Sequence, residues 1–172
     1  MFSDESKERG YRMAAVVVRS ANVAQVRRDC KTWAARGSRR FHARKESDRL
    51  RKEALGALGL MGDVLSIVIV ENNLAVEELV RRETVLCALA GWACENGVAR
   101  WVIERDLSVE KFDRRVLSEF RRSTTLPEFE YLHLAGTEDP ILWAADLAAW
   151  AWTKGGQYAA KVKPLISEHI RL

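Results

Sequence analysis

The sequence predicts an α/β fold in which a mixed β-sheet is flanked by helices. The chain has 172 residues, of which 48% are apolar and 30% charged, a composition typical of a globular protein with a substantial core. Its first 18 residues have the pattern of a β-hairpin. Helical and strand-like segments then alternate, an order that favours helices packed on a sheet. We therefore expect a single domain over residues 1–172.

The hairpin is predicted from a short strand at 2–4 and from the valine-rich run "YRMAAVVVRS", joined by a turn through residues 6–11. A helix is predicted over 22–35, because apolar residues recur there at intervals of three and four. These residues are Val23, Val26, Cys30 and Trp33. A basic loop follows over 36–45.

Ser47 is a predicted N-cap for a second helix that continues through Leu58. Strands and helices alternate after it, because β-branched runs bounded by Gly or Asn are separated by longer amphipathic segments. The predicted strands are 63–72, 100–106 and 129–136. The predicted helices are 75–95, 110–122 and a last one with Pro140 in its first turn.

Composition excludes several classes of protein. The apolar runs are far shorter than the roughly 20 residues of a membrane helix, so no membrane contact is expected. The opening "MFSDESKERG" carries acids where a signal peptide is apolar. The cysteines Cys30, Cys87 and Cys94 lack a paired-ligand spacing and are expected to be unreactive thiols. We therefore expect a cytoplasmic location.

Basic residues are concentrated between Arg36 and Lys52. This segment has eight basic and two acidic residues, a net charge of +6, whereas the whole chain carries +4. Such a patch indicates a polyanion as partner, here nucleic acid. The predicted nucleic-acid-binding residues are Arg39, Arg40, Arg44 and Lys45. The alternative is a solvated helix face and loop.

Three acids stand out at strand ends or inside apolar sequence. Asp4 ends the first strand and Glu104, followed by Asp106, ends the "WVIER" strand; Asp146 is the one charge within residues 140–152. If the two strands are neighbours and the last helix crosses them, the three carboxylates converge. Crowded carboxylates repel one another, so such a site favours a divalent cation, Mg²⁺ or Mn²⁺. Two-metal phosphoryl-transfer centres use clusters of this kind.

Other interpretations stay open for these residues. Asp4 fits a hairpin turn, Glu104 fits a solvated strand end, and Asp146 fits a partner for an arginine or a loop. Trp150 and Trp152 lie on adjacent faces of the last helix, so one ring could face a second copy of the chain. That arrangement would suit a homo-oligomeric scaffold.

Four short motifs occur in a recognisable order: "DES", "FHA", "WVIER" and "ILWAADLAAW". Together they resemble the RNase H-like family known as domain of unknown function 3800. Its members begin with a strand ending in "DESG", carry "E-x-H-A" before a helix, have an acid at the end of a central strand, and finish with "LQ-x-AD-L-x-A". The resemblance spans nearly the whole chain and implies an RNase H-like fold with a divalent-metal site.

The resemblance also implies roles for individual residues. Asp4, Glu104 and Asp146 would be the catalytic acids that ligate Mg²⁺ or Mn²⁺. His42 would match the histidine of "E-x-H-A", contacting a phosphate or positioning water; the alternative is an ordinary loop residue. The implied function is a nuclease or a related phosphoryl-transfer enzyme acting on DNA, RNA or a hybrid.

The sequence departs from this pattern at three positions. Lys7 replaces the glycine of "DESG", Arg40 replaces the acid two residues before His42, and Glu104 replaces the more usual Asp. Glu46 or Asp48 could supply the lost acid. Because Arg40 reverses a charge expected to hold metal, a second hypothesis is a non-catalytic RNase H-like domain that binds nucleic acid or protein.

Overall fold

Six strands form one mixed sheet with six α-helices packed against it, in a computed structural model that describes residues 1–8 and 10–172. The strands are β1 (Phe2–Ser6), β2 (Tyr11–Val18), β3 (Leu65–Asn72), β4 (Arg100–Glu104), β5 (Glu130–Leu134) and β6 (Ile166–Arg171). The helices are α1 (Val23–Lys31), α2 (Asp48–Gly59), α3 (Glu78–Glu95), α4 (Glu110–Ser123), α5 (Ile141–Lys154) and α6 (Gly156–Val162).

The strand order across the sheet is β5-β4-β1-β2-β3-β6. The first three strands form an antiparallel meander, while β4 and β5 run parallel to β1 on one side and β6 runs parallel to β3 on the other. The predicted mixed sheet flanked by helices is therefore confirmed. Because β1 and β4 are parallel neighbours, their carboxyl ends meet at one edge of the sheet.

The two faces of the sheet build separate cores, because successive strand residues point in opposite directions. On one face, Phe2, Val102 and Ile67 pack with α5, α1 and α2. On the other face, Trp101, Val68 and residues from α3 and α4 form the second core. Helix α5 is buried almost all round, with 12 of its 14 residues buried, as expected for an alanine-rich helix enclosed by other elements.

The predicted order of elements is found, with two additions at the C terminus, α6 and β6. Several elements are shorter than predicted. Strand β4 ends at Glu104, so Asp106 lies beyond it, and α1 ends at Lys31 rather than near residue 35. The predicted turn over 6–11 includes Arg9, which lies outside the described residues. Within the described chain, no helix has the length and hydropathy needed to cross a membrane.

Candidate functional site

Asp4 and Glu104 lie side by side at the carboxyl ends of β1 and β4. The parallel register pairs Phe2 with Val102, so Asp4 and Glu104, each two residues further along, occupy adjacent positions. Alternation along a strand also fixes their direction. Phe2 and Val102 belong to the core beneath α5, and therefore Asp4 and Glu104 project from that same face.

Asp146 reaches this pair from α5. Its Oδ2 accepts hydrogen bonds from the backbone N–H of Ala43 and from His42 Nδ1, both at 2.8 Å, and the residue is only 6% exposed. Two donors partly offset the cost of burying the charge. The structure thus brings Asp4, Glu104, Asp146 and His42 together, and Asp146 also contacts a loop as its alternative interpretation expected.

Burial and crowding disfavour ionisation of Asp4 and Glu104. Burial, and then the negative charges of Glu104, Asp146 and Glu5, hold the pKa of Asp4 well above its usual range. Burial raises the pKa of Glu104 as well, opposed by the positive charge of Arg40 and reinforced by Asp146. Glu104 Oε2 is buried and has no hydrogen-bond partner among the residues that the structure describes. An unpartnered carboxylate oxygen among other carboxylates favours the binding of a cation.

One cation of the protein's own already contacts this cluster. Arg40 Nη2 donates to Glu104 Oε1 and forms an ion pair with it. The guanidinium lies against Gly136: a Cβ at that position would come within 2.6 Å of Arg40 Cζ. Ser38 Oγ donates to the backbone carbonyl of Arg40 at 2.6 Å. Arg40 is therefore held over the cluster by its backbone, by Gly136 and by Glu104.

The loop that carries Arg40 and His42 is anchored by the residues between and after them. Phe41 and Ala43 are buried in the core beneath α5, and Phe41 packs edge-on against Trp33 with ring centroids 6.0 Å apart. Phe41 and Ala43 are thus buried, whereas Arg40 and His42 line the cleft with the acids. Burial of Phe41 and Ala43 thus anchors the "FHA" motif to the core.

The acids line an open cleft of about 650 Å³. Its other lining residues include both signs of charge and one aromatic ring: Glu5, Lys7, Arg44, Arg105, Asp106 and Trp150. Among residues 1–8 and 10–172, no three His, Cys, Asp or Glu side chains form a ready-made metal cage. The donor set nevertheless suits a hard divalent cation, since carboxylate oxygens are the ligands that Mg²⁺ and Mn²⁺ prefer.

The four predicted nucleic-acid-binding residues differ in their surroundings. Arg40 is engaged by Glu104, and Arg44 forms an exposed ion pair with Glu8 at 3.4 Å. Arg39 and Lys45 are exposed and make no ion pair within the described chain. Arg39 and Lys45 are each next in sequence to a cleft-lining arginine, Arg40 or Arg44.

Of the other acids considered for the site, Glu46 and Asp48 lie outside the cleft, whereas Asp106 lines it. Asp48, at the start of α2, is hydrogen-bonded by Lys52 at 2.8 Å and by Tyr158 at 2.6 Å. Neither Asp48 nor Glu46 is among the described residues that line the cleft. Asp106 accepts hydrogen bonds from Ser108 and lies 3.7 Å from Lys7. The acid lost at position 40 is thus not replaced from the entry to α2.

Lys7, which replaces the motif glycine, links three acids at the end of β1. Its Nζ is 3.0 Å from Glu78 and 3.7 Å from both Glu5 and Asp106.

Trp150 and Trp152 also make contacts within the chain: Trp150 packs against Tyr158 and carries Arg51 over its ring, and Trp152 packs against His169. The rings that suggested an oligomer are thus contacted internally.

A buried ionic network on the opposite face of the sheet was not predicted. Arg82 of α3 is hydrogen-bonded to Asp113 and Tyr11 and lies 3.0 Å from Glu5, the neighbour of Asp4. His133 Nε2 lies 3.2 Å from Asp113. On amphipathic helices, single charges such as Arg82 and Asp113 resemble ordinary surface residues. Only the apolar neighbours of His133 in β5 hinted at burial.

Comparison with solved structures places the fold. The chain is similar to a structure described as the complex of PCNA and RNase HII from Archaeoglobus fulgidus, with a TM-score of 0.58 and 13% sequence identity. The match covers 90% of this chain and 72% of that one. No protein-family model matches the sequence, and no curated protein matches it. The fold is therefore RNase H-like, while membership of domain of unknown function 3800 stays a prediction.

Proposed function

We propose that this protein is a divalent-metal-dependent nuclease, or a related phosphoryl-transfer enzyme, that acts on nucleic acid. The observation that carries the proposal is the convergence of Asp4, Glu104 and Asp146 around a buried carboxylate oxygen with no partner. The RNase H-like fold and its similarity to a structure containing a nuclease support it.

Each residue has a distinct task in this proposal. Asp4, Glu104 and Asp146 hold Mg²⁺ or Mn²⁺, which supplies Lewis-acid stabilisation of the charge that builds on phosphorus. The exposed Arg39 and Lys45 hold the nucleic-acid backbone beside the cleft. In the neutral imidazole whose Nδ1 donates to Asp146, Nε2 carries no hydrogen and can accept a proton from an attacking water.

A second candidate is an RNase H-like domain that binds nucleic acid without cleaving it. The specific observation in its favour is the ion pair between Arg40 and Glu104, which neutralises part of the charge that a metal would need. Both candidates place nucleic acid along the basic loop. They differ in whether the acids act on it.

Cleavage assays separate the two candidates. The wild type is incubated with single-stranded, duplex and hybrid substrates in Mg²⁺ or Mn²⁺, beside Asp4→Asn and Asp146→Asn. We expect metal-dependent cleavage that both substitutions abolish. The matched control is Asp63→Asn, the same change at an exposed acid outside the cleft, which should retain cleavage. Binding without cleavage in the wild type, unchanged by either substitution, would support the second candidate.

A further inference from the structure

We infer that Arg40 takes the place of one metal ion, so that the site holds a single divalent cation beside a fixed guanidinium. This inference rests on the proposed function and specifies the cofactor stoichiometry of the same site. It concerns how the positive charge at the cleft is divided between the chain and its cofactor.

The charges at the site support one divalent ion. When all three carboxyls are ionised, as metal ligation requires, Asp4, Glu104 and Asp146 contribute three negative charges and Arg40 contributes one positive charge, leaving two negative charges. One divalent ion neutralises these. A carboxylate at position 40 would instead leave four negative charges, which match two divalent ions, the number used by two-metal phosphoryl-transfer sites.

The two carboxylate oxygens of Glu104 have different surroundings, which also supports one bound ion beside Arg40. Oε1 accepts the hydrogen bond from Arg40, whereas Oε2 is buried and unpartnered. The carboxyl of Glu104 also lies close enough to that of Asp4 for its negative charge to help raise the pKa of Asp4. One oxygen therefore serves the guanidinium, and the other remains for a cation shared with Asp4.

Arg40 is built into the site rather than placed there by chance. Its side chain is 30% exposed, and its Nε is buried without a partner. Any side chain at position 136 would collide with the guanidinium, so the glycine leaves room for it. The carbonyl of Gly136 accepts a hydrogen bond from Trp143 Nε1 at 2.5 Å. This bond fixes the backbone against which Arg40 lies.

A fixed guanidinium is suited to a phosphoryl-transfer site. It keeps its charge at any working pH and presents planar N–H donors that match phosphate oxygens. Nη2 is used by Glu104, and Arg40 is one of the residues that line the cleft. A phosphate that enters the cleft would thus meet one mobile cation and one fixed cation.

Counting bound Mn²⁺ tests the inference. Calorimetric titration, with electron paramagnetic resonance to count free Mn²⁺, should give one ion per chain for the wild type and for Arg40→Lys, which keeps the charge. Arg40→Glu should give two. The matched control is Arg39→Glu, the same charge reversal at the exposed neighbour, which should still bind one ion.

The other outcomes overturn the inference. Two ions in the wild type would mean that Arg40 moves aside, and no ion until Arg40 is replaced would mean that it blocks the site. The wild-type and Arg40→Lys counts decide the matter even if Arg40→Glu does not fold. One bound ion without cleavage would refute the proposed function but not this stoichiometry, and cleavage with two bound ions would do the reverse.

Discussion

Arg82 and Asp113 join α3 to α4 by two side-chain hydrogen bonds of 2.6 Å each, and neither side chain is more than 1% exposed. Removing one partner of such a pair costs free energy, because the other charge is left buried without its counter-ion. The pair also steadies Glu5, which lies 3.0 Å from Arg82 and next to Asp4.

Asp113→Asn should lower the free energy of unfolding by about 3 kcal/mol, because Arg82 is buried and, among the described residues, keeps only Glu5 as a charged partner. Urea unfolding monitored by tryptophan fluorescence measures this. Glu53→Gln is the control, since the pair between Arg49 and Glu53 is exposed on α2 and should change stability by less than about 0.5 kcal/mol. Equal effects of the two substitutions would contradict the assignment.

The same pair predicts a pH dependence. Burial acts to raise the pKa of Asp113, but its bonds to Arg82 and His133 outweigh burial, and the pKa lies below the usual 3.8. A lowered pKa gives stability that is fully present above the unfolded value and is lost as the pH falls through the folded value. Unfolding of wild type and Asp113→Asn between about pH 2 and 6 should therefore show a stability difference that shrinks below about pH 4.

Asp4→Asn should have the opposite effect on stability in metal-free protein. It removes a buried carboxyl crowded by Glu104 and Asp146, and we expect stability in chelator to rise by about 1 kcal/mol. The wild type should gain about 2.7 kcal/mol in Mn²⁺ at 100 times Kd, and the variant should gain almost none. Thermal unfolding with and without Mn²⁺ measures both. Asp63→Asn should behave as wild type, and destabilisation of Asp4→Asn in chelator would refute the crowding argument.

Arg39 and Lys45 supply a prediction about salt dependence. If both contact phosphates, replacing them with Ser should reduce the slope of log affinity against log salt by about 1.5, because each contact releases close to one counterion. Fluorescence anisotropy over a salt series measures the slope. Lys161→Ser with Lys163→Ser removes two exposed charges that do not line the cleft, and this control should leave the slope unchanged. A slope that stays constant in the first variant would place nucleic acid elsewhere.

His42→Gln should slow metal-dependent cleavage by about 100-fold if Nε2 accepts the proton of the attacking water. The bound Mn²⁺ count should not change, since the ligands are the three carboxylates. His169→Gln is the control, because His169 contacts Trp152 and Glu71 and does not line the cleft. A proportional loss of metal binding and cleavage would show that His42 only supports Asp146.

Local patterns predicted the elements that position the site. Convergence of Asp4, Glu104 and Asp146 was predicted on the condition that the first strand and the "WVIER" strand are neighbours, and this pairing is seen only in the folded sheet. The missed strand, β6, is an exposed edge with polar residues such as Glu168 and His169, so its apolar pattern is weak. Ion pairs were hidden for another reason: Arg40 and Glu104 are 64 residues apart in sequence, and only the folded chain brings them together.

The two outer strands of the sheet affect the tendency of the protein to aggregate. Strands β5 and β6 have five and six residues and carry charges, features that discourage edge-to-edge association with other chains. Next to β6 lies β3, in which residues 67–70 are buried. Truncating the chain before Ile166 would uncover a long apolar edge able to template β-aggregation. The residues from Ile166 onward therefore protect the chain from aggregation, although β2 and β3 separate β6 from the strand that carries Asp4.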